Sequence, residues 1–277
     1  MVMTPLDLSV FLKKDSATRM AGEPALRYLL AVAQEAAWVG GRRTLAYFRT
    51  GTATEWKSDQ TPVTAADRES EQLIRAVVSR TFPDHAILGE EAGETAGAAP
   101  VRWIVDPLDG TRSFVRGVPL FGTLVGVEVH GEPVVGVVYL PALDEMIAAA
   151  RGAGCTWNGR PCRVSGATRL DGALAVVTDE RSARQRSGAW DRLVGRTAMQ
   201  RTWADCYGYV LVATGRAEIA LDPVMNVWDC AALLPIVEEA GGRFTDWSGR
   251  RTIHGGEAVA TNGSLHDEVV GLLRDDA

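Results

Sequence analysis

The sequence has no paired cysteines at metal-binding spacing, no long hydrophobic run and no excess of positive charge. Its four cysteines (Cys155, Cys162, Cys206, Cys230) form no CxxC motif, and its four histidines (His85, His130, His254, His266) are just as dispersed. A zinc site of Cys and His is not expected from that scatter. The thiols read as reduced, mostly packed side chains of a cytoplasmic protein. No apolar run approaches the ~18 residues of a membrane-spanning helix. The stretch around Asp7, Lys13, Lys14 and Asp15 does not read as a secretory signal. Lys plus Arg number 29 against 35 Asp plus Glu, a formal net charge of −6. A surface of that sign repels phosphate backbones and anionic membranes, so neither nucleic acid nor membrane is an expected partner. No repeat and no linker-length low-complexity tract is visible.

What is present suits a globular protein: 277 residues, 46% hydrophobic and 23% charged. A chain of that length buries roughly three quarters of its unfolded surface, so no disulfide or structural metal is needed to hold it. Apolar spacing predicts a helix from Glu23 to Tyr47 and another from Ala65 to Thr81, with a polar loop from Ser58 to Thr64 before it. Short strands are expected at His85–Leu88 and Val101–Val105. Leu120–Val129 and Val134–Leu140 form a hairpin, and Asn158-Gly159 is a second hairpin turn. Beyond them the pattern gives a strand at Ala173–Thr178, a helix at Ala189–Gly195, an apolar stretch at Tyr207–Thr214, a strand at Ala217–Leu221 and a helix from Asp229 to Ala240. The turn-rich Gly154–Gly166 stretch divides the chain into an N-terminal half over 23–153 and a C-terminal half over 154–277, after a motif-free extension over 1–22. Strands and helices interleave, yet tight turns join several strand pairs. Stacked layers with antiparallel sheets follow from that mixture, not a purely parallel doubly wound sheet.

The most informative string is Trp103-Ile104-Val105-Asp106-Pro107-Leu108-Asp109-Gly110-Thr111. Taken alone it is also an ordinary type I turn, with Pro at its second position and Asp-Gly closing it. Its context is more telling. An apolar strand delivers Asp106, and Asp109 follows three residues on. Two carboxylates converging at the end of a buried strand repel each other unless a cation sits between them. Oxygen-only ligands of this kind suit Mg²⁺, completed by waters and a substrate phosphate. Three further acidic elements accompany it: Leu88-Gly89-Glu90-Glu91, Trp228-Asp229-Cys230-Ala231-Ala232 and the run from Lys57 to Asp67. Each has a plain alternative. Glu90 and Glu91 can be a solvated strand end, Asp229 a helix N-cap, and Asp67 a favourable charge at a helix start.

In this order the motifs Gly89-Glu90-Glu91, Asp106 to Thr111 and Trp228-Asp229 resemble those of the inositol monophosphatase family, Mg²⁺-dependent, lithium-sensitive phosphomonoesterases. The resemblance runs from about Ala25 to the C-terminus. It implies an α+β fold, a layered αβαβα sandwich, and a homodimer. It also implies two or three Mg²⁺ ions held by Glu90, Asp106, Asp109, Asp229 and the backbone carbonyl of Leu108, with Asp67 at a further metal position or beside one. Gly110 and Thr111 would open a helix whose N–H groups hold the phosphate. The Thr111 hydroxyl, bonded to Asp67, would orient and help deprotonate the attacking water.

Within the family, Phe82 to Glu91, Arg112-Ser113-Phe114, Pro119 to Leu124 and Thr245 to Gly249 look closer to the histidinol-phosphatase branch than to the inositol branch. Asp205-Cys206-Tyr207 stands where inositol-specific relatives carry small neutral residues. Asp222 stands where they carry an acid against substrate hydroxyls. A neutral polyol has little use for two anions, whereas the ammonium and imidazole of histidinol phosphate can pair with carboxylates. The expected activity is therefore hydrolysis of a small-molecule phosphate monoester, histidinol phosphate first, serving histidine biosynthesis. The alternatives are an inositol-1-monophosphatase or broad sugar-phosphate phosphatase, and a non-catalytic regulatory or RNA-associated module of the same fold. Arg181, Arg184 and Arg186 read as a solvated loop, not a phosphate site.

Overall fold

Residues 25–51, 53–56, 62–203 and 205–274 are described by a computed structural model. The extension over 1–22 and most of the polar loop before Thr64 lie outside them.

The first half of the chain builds one sheet and its cover. Helix α1 (Leu26–Thr44) is followed by a small pair, β1 (Glu55–Trp56) and β2 (Pro62–Val63), and then by α2 (Ala65–Thr81). Strands β3 (Ala86–Gly89), β4 (Gly93–Thr95) and β5 (Val101–Asp109) lead into the short helix α3 (Thr111–Val115). A meander follows: β6 (Gly122–Val129), β7 (Glu132–Leu140), β8 (Glu145–Ala150), β9 (Gly154–Trp157) and β10 (Arg160–Cys162). These join as an eight-stranded sheet in the order β10-β9-β8-β7-β6-β5-β3-β4, in which β3 and β5 run parallel and the other neighbours antiparallel.

The second half builds a smaller sheet. Its elements are β11 (Leu174–Val177), α4 (Glu180–Arg186), α5 (Ala189–Val194), β12 (Met199–Arg201), α6 (Cys206–Ala213) and β13 (Ile219–Asp222). After them come α7 (Val227–Ala231), α8 (Leu233–Glu239), β14 (Arg243–Thr245), β15 (Ala258–Thr261) and α9 (His266–Arg274). The strand order is β12-β11-β13-β15-β14.

Alternation along the strands makes the layers. Trp103 and Val105 of β5 pack with α1 and α2, while Ile104 between them faces α6, α7 and α8. In the smaller sheet Val176 and Ala220 face those same middle helices, and Ala175, Val177, Ile219 and Leu221 pack against α4, α5 and α9. The result is the expected α+β sandwich, αβαβα.

Several elements depart from the sequence reading for identifiable reasons. The expected helix over Asp229–Ala240 breaks at Ala232, because Pro235 has no N–H to give the carbonyl four residues earlier. Strand β5 does not stop at Val105 but continues through the Asp-Pro-Leu-Asp motif with a bulge. Asp106 pairs with Leu124 and Asp109 with Gly122, so one extra residue is accommodated on β5. The carbonyl of Pro107 in that bulge is buried and accepts hydroxyls from Ser70 at 3.1 Å and Thr123 at 2.8 Å. The arginine run is a helix, α4, with Arg184 paired to Glu180 and Asp191. The turn at Asn158-Gly159, with φ of 48° and 75°, joins β9 to β10, and both strands stay with the larger sheet. The chain therefore passes to the smaller sheet after Cys162, later than the 153/154 division.

The middle helices sit almost on the sheet backbone. A methyl group at Gly136 would lie 2.0 Å from the Ala232 carbonyl oxygen, and one at Gly126 would lie 2.7 Å from Ala231. Gly136→Ala is expected to lift the α7–α8 junction and cost about 1–3 kcal/mol. The check is a melting temperature lowered by several degrees, with the end of the sheet that carries β3 and β4 unchanged in hydrogen exchange.

Candidate active site

Four acidic side chains, Glu90, Asp106, Asp109 and Asp229, converge from three separate segments, and a fifth, Asp67, approaches them through Thr111. Asp67 lies at the third position of α2, where it closes a capping box with Thr64: its Oδ2 accepts the Thr64 N–H at 2.8 Å. Asp229 holds the same position in α7, its Oδ2 accepting the Asn226 N–H at 2.6 Å. It is therefore not the N-cap; Asn226 is. Asp106 Oδ1 accepts the Leu108 N–H at 3.0 Å, and Asp109 Oδ2 accepts the Cys206 N–H at 2.6 Å. Each of these four aspartates thus uses an oxygen on a backbone N–H, which fixes the carboxylate plane and leaves the other oxygen to be directed elsewhere. Glu90 follows β3 and acts electrostatically on both Asp106 and Asp229.

Ligand oxygens of Asp106, Asp109 and Asp229 lie within 4.8 Å of one another. Burial and neighbouring acids push all three upward in pKa. Asp106 is raised by burial first, then by Glu90, Asp109 and Asp229; Asp109 is raised by burial, then by Asp205 and Asp229. Asp229 is pushed up to about 6 chiefly by burial. Several carboxylates that stand together in a buried setting, all oxygen donors, match what a hard divalent cation requires. The donor set fits such an ion.

Beside this trio, Gly110 takes a left-handed conformation (φ 84°) that turns the chain from β5 into α3, a conformation glycine reaches without strain. The Thr111 hydroxyl then lies 3.2 Å from Asp67 Oδ1 and 2.9 Å from the Leu108 carbonyl. Burial also raises the pKa of Asp67, against the opposing hydrogen bonds from Thr64.

Asp205 comes up against Gly110 from the other half of the chain. A methyl group at Gly110 would be 3.0 Å from Asp205 Oδ2. Burial and Asp229 raise Asp205 to about 6, with Arg112 partly offsetting them. Asp222 is buried and accepts the Thr178 N–H at 2.8 Å; its pKa is raised to about 7 by burial. Thr178 in turn accepts the Asp205 N–H at 2.9 Å, which links the two acids.

These raised values have a consequence for stability. A carboxyl that stays protonated to higher pH in the folded chain than in the unfolded one gives the folded state more bound protons. Stability then falls as pH rises through the folded pKa. His266, lowered to about 4 by burial, acts in the opposite sense, but only below its ordinary value of 6.5. Metal-free protein is therefore expected to melt at lower temperature at about pH 8 than at about pH 6, with added Mg²⁺ reversing the loss. A flat profile in the absence of metal would show that the pKa values of these acids are not raised in the folded chain.

The sequence reading missed the groups that bond to the candidate ligands or to the backbone beside them: Thr64, Ser70, Glu71, Thr123 and the Cys206 N–H. Only Thr64 left a local signal, the Thr-x-x-Asp spacing of a capping box.

A layered α+β fold with a partly buried cluster of carboxylates at the end of a bulged strand defines a class, the metal-dependent phosphatases of this architecture. The inositol monophosphatase family pattern matches residues 25–276, and the chain belongs to that family. It is 43% identical over 254 residues to a histidinol-phosphatase of Chlorobaculum parvum, covering 90% of this chain and 96% of that protein. It is 44% identical over 225 residues to a histidinol-phosphatase of Mycobacterium tuberculosis, covering 78% and 86%. The crystal structure of the extragenic suppressor protein suhB from Bartonella henselae matches with a TM-score of 0.85 at 29% identity, covering 90% of this chain and all of that one. Among the described residues no helix is long and apolar enough to cross a membrane.

Proposed function

We propose that the chain hydrolyses histidinol phosphate with Mg²⁺, as a cytoplasmic homodimer without a nucleic-acid partner. The observation that carries the substrate is Asp205: an added carboxylate lies against Gly110, beside the acidic trio. Identity of 43% and 44% to histidinol-phosphatases supports the same assignment.

Glu90, Asp106, Asp109, Asp229 and the Leu108 carbonyl would hold two or three Mg²⁺ ions, with Asp67 beside them. Bound there, Mg²⁺ would supply a Lewis acid for the phosphoryl oxygens and a lowered pKa for water. The backbone N–H groups of Gly110 and Thr111 would receive a phosphate oxygen. Thr111 donates its hydroxyl proton to Asp67 Oδ1 or to the Leu108 carbonyl, so its lone pairs are turned toward the attacking water. Asp67, with its raised pKa, is the acceptor for the proton that water gives up through Thr111. The water oxygen bonds to phosphorus, the ester P–O bond breaks, and the released alkoxide takes a proton from solvent water to leave as histidinol, while the proton on Asp67 returns to solvent. Asp205 would pair with the cationic side of that alcohol by charge-assisted hydrogen bonds.

Parallel kcat/KM measurements test this reading. Histidinol phosphate is expected to exceed inositol 1-phosphate by about 100-fold, as one or two charge-assisted bonds allow. Equal values would favour the inositol or sugar-phosphate reading, and no phosphate release at all would favour a binding module. Lithium is expected to inhibit, and sedimentation to give twice the chain mass.

A further inference from the structure

Glu71 is a buried acid that the proposed chemistry does not use. It lies one turn after Asp67 on α2 and is 1% exposed. Its Oε2 accepts the Glu91 N–H at 2.7 Å, and its Oε1 accepts the Ala92 N–H at 3.1 Å and Arg75 Nε at 2.7 Å. Arg75 continues outward to Thr95 Oγ1 at 3.1 Å and to the Gly93 carbonyl. On the other side of Glu90, a methyl group at Gly89 would lie 2.2 Å from Glu71 Oε1, so the carboxylate packs directly on that backbone. Glu71 therefore touches the chain immediately before and immediately after Glu90. The Glu90 N–H itself is tied to the Val105 carbonyl of β5 at 3.2 Å.

We infer that Glu71, braced by Arg75, is a positioning residue that sets Glu90 against Asp106 and Asp229 for cation binding. The inference rests on the reading of the acidic cluster as a metal centre. The physical argument is one of reach. Glu90 sits in the turn between β3 and β4, and β4 is an exposed three-residue edge strand with little packing of its own. Without a brace, bringing Glu90 toward the buried Asp106 and the half-buried Asp229 means ordering that turn against electrostatic repulsion. The carboxylate of Glu71 answers two backbone N–H groups of the turn at once. It thereby fixes the turn to the helix that also presents Asp67. Gln at 71 has the same shape but only one acceptor oxygen, and its amide would point N–H at N–H on the other side.

The test is Mn²⁺ and Mg²⁺ titration calorimetry on the full chain, paired with kinetics as a function of metal concentration. Glu71→Gln is expected to raise the metal Kd by about 10- to 100-fold, the usual consequence of removing a group that orients a ligand. KM for histidinol phosphate and kcat are expected to return toward wild type at saturating metal. Arg75→Gln, at the outer end of the pair with its side chain 15% exposed, should act in the same direction with a smaller effect, and it serves where Glu71→Gln does not fold. Val269→Ala, on the buried face of α9, supplies a comparable loss of stability away from the site. Unchanged metal affinity in Glu71→Gln and Arg75→Gln overturns the inference, as does an equal loss of affinity in Val269→Ala. Wild-type protein that takes up no metal overturns the metal-centre reading itself, and this inference with it.

Discussion

Asp106→Asn is expected to lower Mg²⁺-dependent phosphate release by about 10³-fold or more while leaving the chain folded. The side chain is 2% exposed, and its shape is preserved by Asn, whose oxygen can still accept the Leu108 N–H. What is lost is an anionic oxygen facing Glu90, Asp109 and Asp229. Lewis-acid stabilisation is worth several kcal/mol, and each ~1.4 kcal/mol is a factor of ten in rate. The same substitution removes a buried like charge, so the metal-free variant should melt higher than metal-free wild type. A change of ~1 kcal/mol moves the melting temperature by roughly 2 °C in a chain of this size. The further rise that Mg²⁺ gives wild type should vanish. An active variant, or one that Mg²⁺ stabilises as before, would refute the assignment of Asp106 to the metal.

Asp205 is the second point of large effect. Its backbone has φ 56° and ψ −147°, a conformation that costs of order 1–3 kcal/mol for a residue with a side chain. Its half-buried carboxyl also stands beside Asp109 and Asp229. A position that is strained and repelled in the free protein fits the binding role proposed for it. Asp205→Asn keeps the local shape and removes the charge. It is expected to raise KM for histidinol phosphate by about 10- to 100-fold, the equivalent of a charge-assisted hydrogen bond. KM for a neutral phosphate ester should change by about threefold or less. Asp205→Gly should in addition stabilise the metal-free protein, since glycine relieves the backbone and the repulsion together. Equal losses on both esters would remove the case for recognition of a cation.

The stability expectations and the catalytic ones have one origin. Each of Asp67, Asp106, Asp109 and Asp229 gives one oxygen to a backbone N–H and presents the carboxylate at a place where other acids already stand. The N–H bonds make that crowding tolerable in the folded chain and set the direction of the remaining oxygens. A bound cation then removes the repulsion, so metal binding and stability are linked.

Much of this was legible along the chain because it is local. Amphipathic spacing marked α1 and α2, a Gly-rich apolar pair marked the β6–β7 hairpin, and Asn158-Gly159 marked the turn between β9 and β10. The three acidic motifs are each contiguous, so the candidate ligands Glu90, Asp106, Asp109 and Asp229 could be named before any fold was known. The tertiary structure decided what those motifs do to one another. The bulge in β5 depends on Ser70 and Thr123, which lie 37 residues before and 16 residues after Pro107 and satisfy the same carbonyl. Asp109 is aimed by an N–H 97 residues away, at Cys206, and the Glu91 N–H, next to Glu90, is held by a carboxylate on α2. Such bonds form between groups that carry no shared pattern in the sequence. They exist because burial leaves each polar atom only the partners that packing brings within about 3 Å.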